Sequence, residues 1–230
     1  YRGALRVFNI NRDPSSWKKQ ETEPMRTITF SGSKATVASF DVFDKHILTG
    51  HENGKVALYA HDTEEGESGI DAELEIHQVK AHTENVTDLQ LGWDGTYIVT
   101  SSKDKTAHII DASTLDVIKT YATDTPLNSA ISLPTRPYVV MGGGQEAMSV
   151  TTTSARQGKF ESRFWHKIFE EECARLPGHF GPINTLAVHP TGNAYASGGE
   201  DGYVRINWFD ESFFKSRPYG PDFEIANEDQ

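Results

Sequence analysis

The chain has 230 residues, 37% of them apolar and gathered in short alternating runs, enough for one all-β domain or array with no second domain required. Its 22 basic and 33 acidic residues give a formal charge of −11, which disfavours a nucleic-acid phosphate backbone as the main ligand and favours basic protein surfaces. With one cysteine, Cys173, and no apolar run approaching the roughly 18 residues of a membrane span, the expectation is a soluble, cytoplasmic chain without membrane contact.

Taken in order, YRGALRVFNI alternates as a strand and runs into a polar Asp-Pro turn, so residues 1–12 read as the end of a unit whose beginning is missing. A polar connector covers 13–25. MRTITF is an expected outer strand, and KATVASF, HILTGHENG and KVALY read as three inner strands, giving a unit over 26–60. The acidic, Gly- and Ser-rich segment 61–73 reads as a solvated loop. ELEIHQV is then the outer strand leading into AHTENVTDLQLGWDGTYIVTSSKDKTAHIID, a unit over 74–111. DVIKTYA opens the next unit, 115–170, in which PLNSAISLPTRPYVVMGGGQE is followed by a long polar run read as an enlarged loop between the second and third strands. FWHKIFEEECARL carries Phe164, Ile168 and Phe169 at helical spacing, but its position, feeding the next Gly-His, favours strands. GHFGPINTLAVHPTGNAYASGGEDGYVRINW dominates the last unit, 171–210, and 211–230 reads as a C-terminal tail.

Two of these stretches superpose without a gap, matching His82 to His179, Gly95 to Gly192 and Asp104 to Asp201. A third copy pairs Pro126 with Pro182 and Pro134 with Pro190, and in a fourth Asn53-Gly54 stands where Asp201-Gly202 stands. A repeat of about 40 to 45 residues, opening on Gly-His and carrying an Asp near its end, is the signature of WD-repeat blades. The expected fold is therefore all-β, a WD-repeat β-propeller with about four and a half blades in this chain.

In the two best copies the imidazole lies in the loop entering the first strand and the carboxylate in the turn after the second. Repetition makes His82 with Asp104, and His179 with Asp201, structural pairs rather than catalytic dyads. Ser101 is expected to extend the first network; Gly198 stands in its place in the last blade, and both blades lack the Trp of the motif, showing Ile110-Asp111 and Asn207-Trp208, so both networks are expected to be incomplete. No Gly-Lys-Ser/Thr follows Gly142-Gly143-Gly144, and the histidines lack metal-ligand spacing, so neither cofactor nor metal is expected. No nucleophile stands with a base, so the chain does not read as an enzyme. In a four-stranded meander the first and third turns lie at the same end of the sheet. Asp94 and Asp111 therefore project from one rim, and Ile109, sharing the strand face of Asp111, adds an apolar contact. Geometry alone leaves open whether the two aspartates merely solvate their loops.

GHFGPINTLAVHPTGNAYASGGEDGYVRI, GGGQEAMSVTTTSARQGKFESRFWHKIFEEE and TSSKDKTAHIIDASTL resemble the WD-repeat subunit i of eukaryotic translation initiation factor three. The likeness covers nearly the whole chain and is most specific across the enlarged loop. It implies a seven-bladed ring, with this sequence beginning inside the third blade, that has no active site and acts as a scaffold during assembly of the initiation complex. It also implies that Asp94 and Asp111 engage basic residues of the C-terminal helical segment of subunit b, with subunit g a further partner and the small ribosomal subunit reached indirectly, without direct nucleic-acid binding. The repeat by itself equally permits a substrate receptor of a ubiquitin ligase or a signalling scaffold; the enlarged loop favours the initiation factor.

Overall fold

A computed structural model describes residues 3–10, 12, 13, 15, 20, 22–30, 32–61, 75–144 and 160–216. The acidic loop, the greater part of the enlarged loop and the end of the tail lie outside these residues. Strands β1 (Gly3–Val7) and β2 (Arg26–Phe30) pair antiparallel. Three four-stranded antiparallel meanders follow. The first holds β3 (Ala35–Phe40), β4 (His46–His51), β5 (Lys55–Ala60) and β6 (Glu75–Lys80). The second holds β7 (Val86–Leu91), β8 (Tyr97–Ser102), β9 (Thr106–Asp111) and β10 (Val117–Ala122). The third holds β11 (Leu127–Ser132), β12 (Tyr138–Gly143), β13 (Glu161–His166) and β14 (Glu172–Pro177). A three-stranded sheet of β15 (Ile183–Val188), β16 (Ala194–Gly199) and β17 (Val204–Trp208) completes the order, ahead of a one-turn helix α1 (Glu211–Lys215).

The sheets stack face to face, and the period of two along each central strand does the sorting. Ile98 points into a core shared with Leu48, Val56 and Leu58 of the preceding sheet, whereas its neighbour Val99 points into one shared with Leu127, Val139 and Met141 of the following sheet. Val139 and Val140 divide in the same way between successive cores. A strand covered on both faces needs continuous rather than alternating apolarity, which is why Tyr97–Ser102 and Tyr138–Gly143 are buried from their second residue on. Of the fourth strands, Glu172–Pro177 is almost wholly and Glu75–Lys80 mostly exposed, whereas Val117–Ala122 buries Tyr121. Each fully buried Val or Ile contributes on the order of 1.5–3 kcal/mol, so the stacking interfaces, rather than any single sheet, hold the array together.

Along the innermost strands one device repeats. The second residue of each donates to the main-chain carbonyl of the first residue of the next: Thr36 Oγ1 to Val86 at 2.6 Å, Thr87 Oγ1 to Leu127 at 3.0 Å, Asn128 Nδ2 to Ile183 at 2.9 Å. Beneath two of these bonds lies a glycine with no room for a side chain. A Cβ on Gly50 would fall 2.5 Å from Val86 Cγ1, and one on Gly142 2.6 Å from Ile183 Cγ2.

The structure corrects the grouping of strands. The outer strand before Ala81-His82 and that before Gly178-His179 each belong to the sheet that precedes them: Glu75–Lys80 pairs with Lys55–Ala60, and Glu172–Pro177 with Glu161–His166. Arg26–Phe30 pairs with Gly3–Val7 rather than with the strands that follow it. The sheets thus span 35–80, 86–122 and 127–177, one strand out of phase with units over 26–60, 74–111 and 115–170. The segment holding Phe164 to Cys173 is two strands joined by a turn, not a helix. The tail, by contrast, opens with α1, capped by Asp210 accepting from the Phe213 N–H, and Phe213 stacks on Phe209 with ring centroids 4.3 Å apart.

Candidate functional site

Two constellations stand out, one internal and one on the surface. In the internal one, β7 to β9 bring His82 and Asp104 together at 3.2 Å, with His82 wholly buried. The Thr83 N–H and the Thr106 hydroxyl donate to the same carboxylate, and the Thr100 hydroxyl lies 2.9 Å from His82 Nε2. Burial, with the tilted His108 ring 4.2 Å away, holds the His82 imidazole down at about 4 against the pull of Asp104. Burial pushes the Asp104 carboxyl up, but the bonds from Thr106 and Thr83 and the nearby His82 outweigh it and hold it below the usual range. The last sheet repeats the arrangement. His179 Nδ1 lies 3.0 Å from Asp201, Nε2 lies 2.8 Å from Ser197 Oγ, and the Phe180 N–H and the Arg205 guanidinium donate to the carboxylate.

Ser101 is not part of this network. Its hydroxyl lies 2.9 Å from Thr87 Oγ1, on the opposite face of the strand, because adjacent residues of a strand point apart. Thr100 takes the role expected of Ser101, and Ser197 fills it in the last sheet, so Gly198 leaves nothing incomplete. A sequence signal existed: the repeat places Thr100 on Ser197, a hydroxyl in both copies, and Ser101 on Gly198.

The surface constellation sits where the turn 92–96 meets the turn after β9. Tyr97 opposes Asp111 across the strands, and the Ala112 N–H donates to the Thr96 carbonyl at 3.0 Å, fixing the two turns side by side. Asp94 Oδ1 accepts from the Thr96 N–H and hydroxyl; Asp111 Oδ1 accepts from the N–H groups of Ser113 and Thr114 and from the Ser113 hydroxyl. The Ser113 hydroxyl, with the Thr114 and Ser113 N–H groups, holds the Asp111 carboxyl below its usual range. In both residues Oδ1 pins the turn. Ile109 shares the Asp111 face but is only 4% exposed, locked in the core with Tyr121 and Val99. It forms the floor of a depression of about 260 Å³ walled by Tyr97, Ile118, Lys119, Lys167 and Ile168, instead of standing at the rim.

Stacked antiparallel meanders, two of them entered by a loop whose histidine clasps an aspartate of the same sheet, define a class: WD-repeat β-propeller blades. Within that class the EIF3I family model matches residues 1–218, and the chain belongs to this family. It is 69% identical over 230 residues, its full length, to a protein of Mycosarcoma maydis named eukaryotic translation initiation factor 3 subunit I. Proteins of the same name from Aspergillus oryzae and Sclerotinia sclerotiorum are 50% and 53% identical over 92% of the chain. The chain spans 66% of the first relative's length and 61% of that of the other two. Among the described residues, no helix is long and apolar enough to cross a membrane, and no three potential metal-ligating His, Cys, Asp or Glu side chains gather.

Proposed function

We propose that the chain is a non-catalytic scaffold module of initiation factor three, holding a basic helix of another subunit on the rim formed by Asp94 and Asp111. The carrying observation is that the bond from the Ala112 N–H to the Thr96 carbonyl sets the Asp94 and Asp111 turns side by side, with each carboxylate fixed by hydrogen bonds to its own turn. Two carboxylates fixed by backbone bonds present negative charge without ordering cost on binding, which favours cationic side chains. By the family likeness the helix is the C-terminal segment of subunit b, with subunit g a further partner and the small ribosomal subunit reached through them. His82, Asp104, His179 and Asp201 act as structural clasps, joined by Thr100 and Ser197. Pull-down of the tagged chain from cytoplasmic extract, with identification of the bound proteins, tests the reading. Initiation-factor subunits in stoichiometric amounts support it; a cullin adaptor in their place would move the chain to a ubiquitin ligase.

A further inference from the structure

We propose that Phe43 and Trp93 are the apolar anchors of this docking surface, receiving the apolar face of a basic amphipathic helix whose charged face meets the aspartates. Phe43 is 79% exposed and Trp93 70%, with Val42 beside them at 54%. They occupy the first turns of two consecutive sheets, and those turns touch. A Cβ on Gly95 would fall 1.9 Å from Val42 Cγ2, so only glycine, here at φ 72°, lets the two turns close on each other. The turns are copies: Asp44 takes the positive φ of Gly95, at 56°, and Phe43 stands where Asp94 stands one sheet later. An aromatic has thus replaced a carboxylate at an exposed tip, where solvation alone would favour the carboxylate.

Among the described residues both sheets are four-stranded and packed against each other. Val204, Ile206 and Trp208 are different: they lie on β17, beyond which no strand pairs among the described residues. Charge selects the occupant. Asp44 and Asp94 belong to these two turns and Asp111 and Asp116 to the turn after β9, against Lys45 and the Lys119 and Lys167 that flank the depression beside Asp111; Glu170 engages Lys119 at 2.8 Å, and His46 engages Asp41 at 2.7 Å. An acidic frame around two large exposed apolar groups fits a cationic helix with apolar residues along one side, and it repels a second copy of a chain charged −11. Truncated aromatics at such positions are the commonest binding hot spots, whereas rim charges set orientation and encounter rate.

The inference rests on the rim reading above, and one titration series separates the two. The probe is a synthetic peptide of the C-terminal helical segment of subunit b, titrated into the wild type, Phe43→Ser with Trp93→Ser, and Asp94→Asn with Asp111→Asn, at low and high salt, after circular dichroism shows all three folded. The anchors predict at least about a tenfold loss in the aromatic pair, an unchanged salt slope, recovery with Trp93→Phe, and a blue shift of Trp93 emission in the wild type. Full affinity in the aromatic pair with loss in the aspartate pair overturns the anchors and leaves the charged rim. Full affinity in both overturns both. Self-association of the free chain that vanishes with Phe43→Ser and Trp93→Ser would overturn the proposal by making a second copy the occupant.

Discussion

Thr100 and Ser101 are adjacent, both hydroxylated and both fully buried, yet they serve different interfaces. Thr100 completes the clasp on His82; Ser101 faces the next sheet, at the position held by Gly50, Gly142 and Gly198 in the other copies. Thr100→Val removes the partner of a buried ring nitrogen and should cost about 1–3 kcal/mol, whereas Ser101→Gly, which restores the residue found in the other sheets, should cost under about 1 kcal/mol. Thermal melts of the two variants check this, and the reverse order would restore Ser101 to the network. His82 also sets a pH dependence. Its folded value, about 4, lies below the 6.5 of a free imidazole, so the unfolded chain takes up the proton first. The stability it supports is complete above about 6.5 and drains as pH falls toward 4. Asp104 and Asp201, held below the usual carboxylate range, lose their contribution at still lower pH, as it falls through their folded values. A melting temperature that falls steadily from pH 7 to pH 4 is expected, and a flat profile would contradict the clasp.

At the scale of the element, the innermost strands are joined by single side-chain bonds repeated from sheet to sheet. Removing one, by Thr87→Val or Asn128→Ala, should lower stability by about 1 kcal/mol. Gly142→Val drives a side chain into Ile183 and should cost about 1–3 kcal/mol through overpacking. Urea unfolding measures both, with an unchanged m-value if only stability has moved. Strand existence was legible because alternation and the 97-residue offset between His82 and His179 repeat together. Strand grouping was not, since an exact repeat gives a period but no phase. Connection length even pointed the wrong way: 81–85, the shorter link, passes between sheets, while 61–74 joins two strands that pair. The clasp pairs could be read from spacing alone, but the choice between Thr100 and Ser101 turns on which face of β8 each residue occupies. The repeat register could have supplied that. The aromatic tips Phe43 and Trp93 carried no such mark, because only the packing of Val42 on Gly95 brings their turns together.

For the molecule as a whole, four cores between successive sheets carry the stability, and on the proposed reading the turns at one end carry the interaction. That separation dictates the choice of substitution. A lysine at position 94 or 111 would reverse the charge but also delete the acceptor that pins the turn, whereas asparagine keeps Oδ1 and removes only the charge. The most direct measurement is calorimetric titration of the C-terminal helical segment of subunit b into the wild type and into Asp94→Asn with Asp111→Asn, both with the same melting temperature. A loss of roughly 2–5 kcal/mol in binding free energy, shrinking as salt is raised, is the expected result. Equal affinity of the two folded proteins at every salt concentration would contradict the account and place the helix on another face.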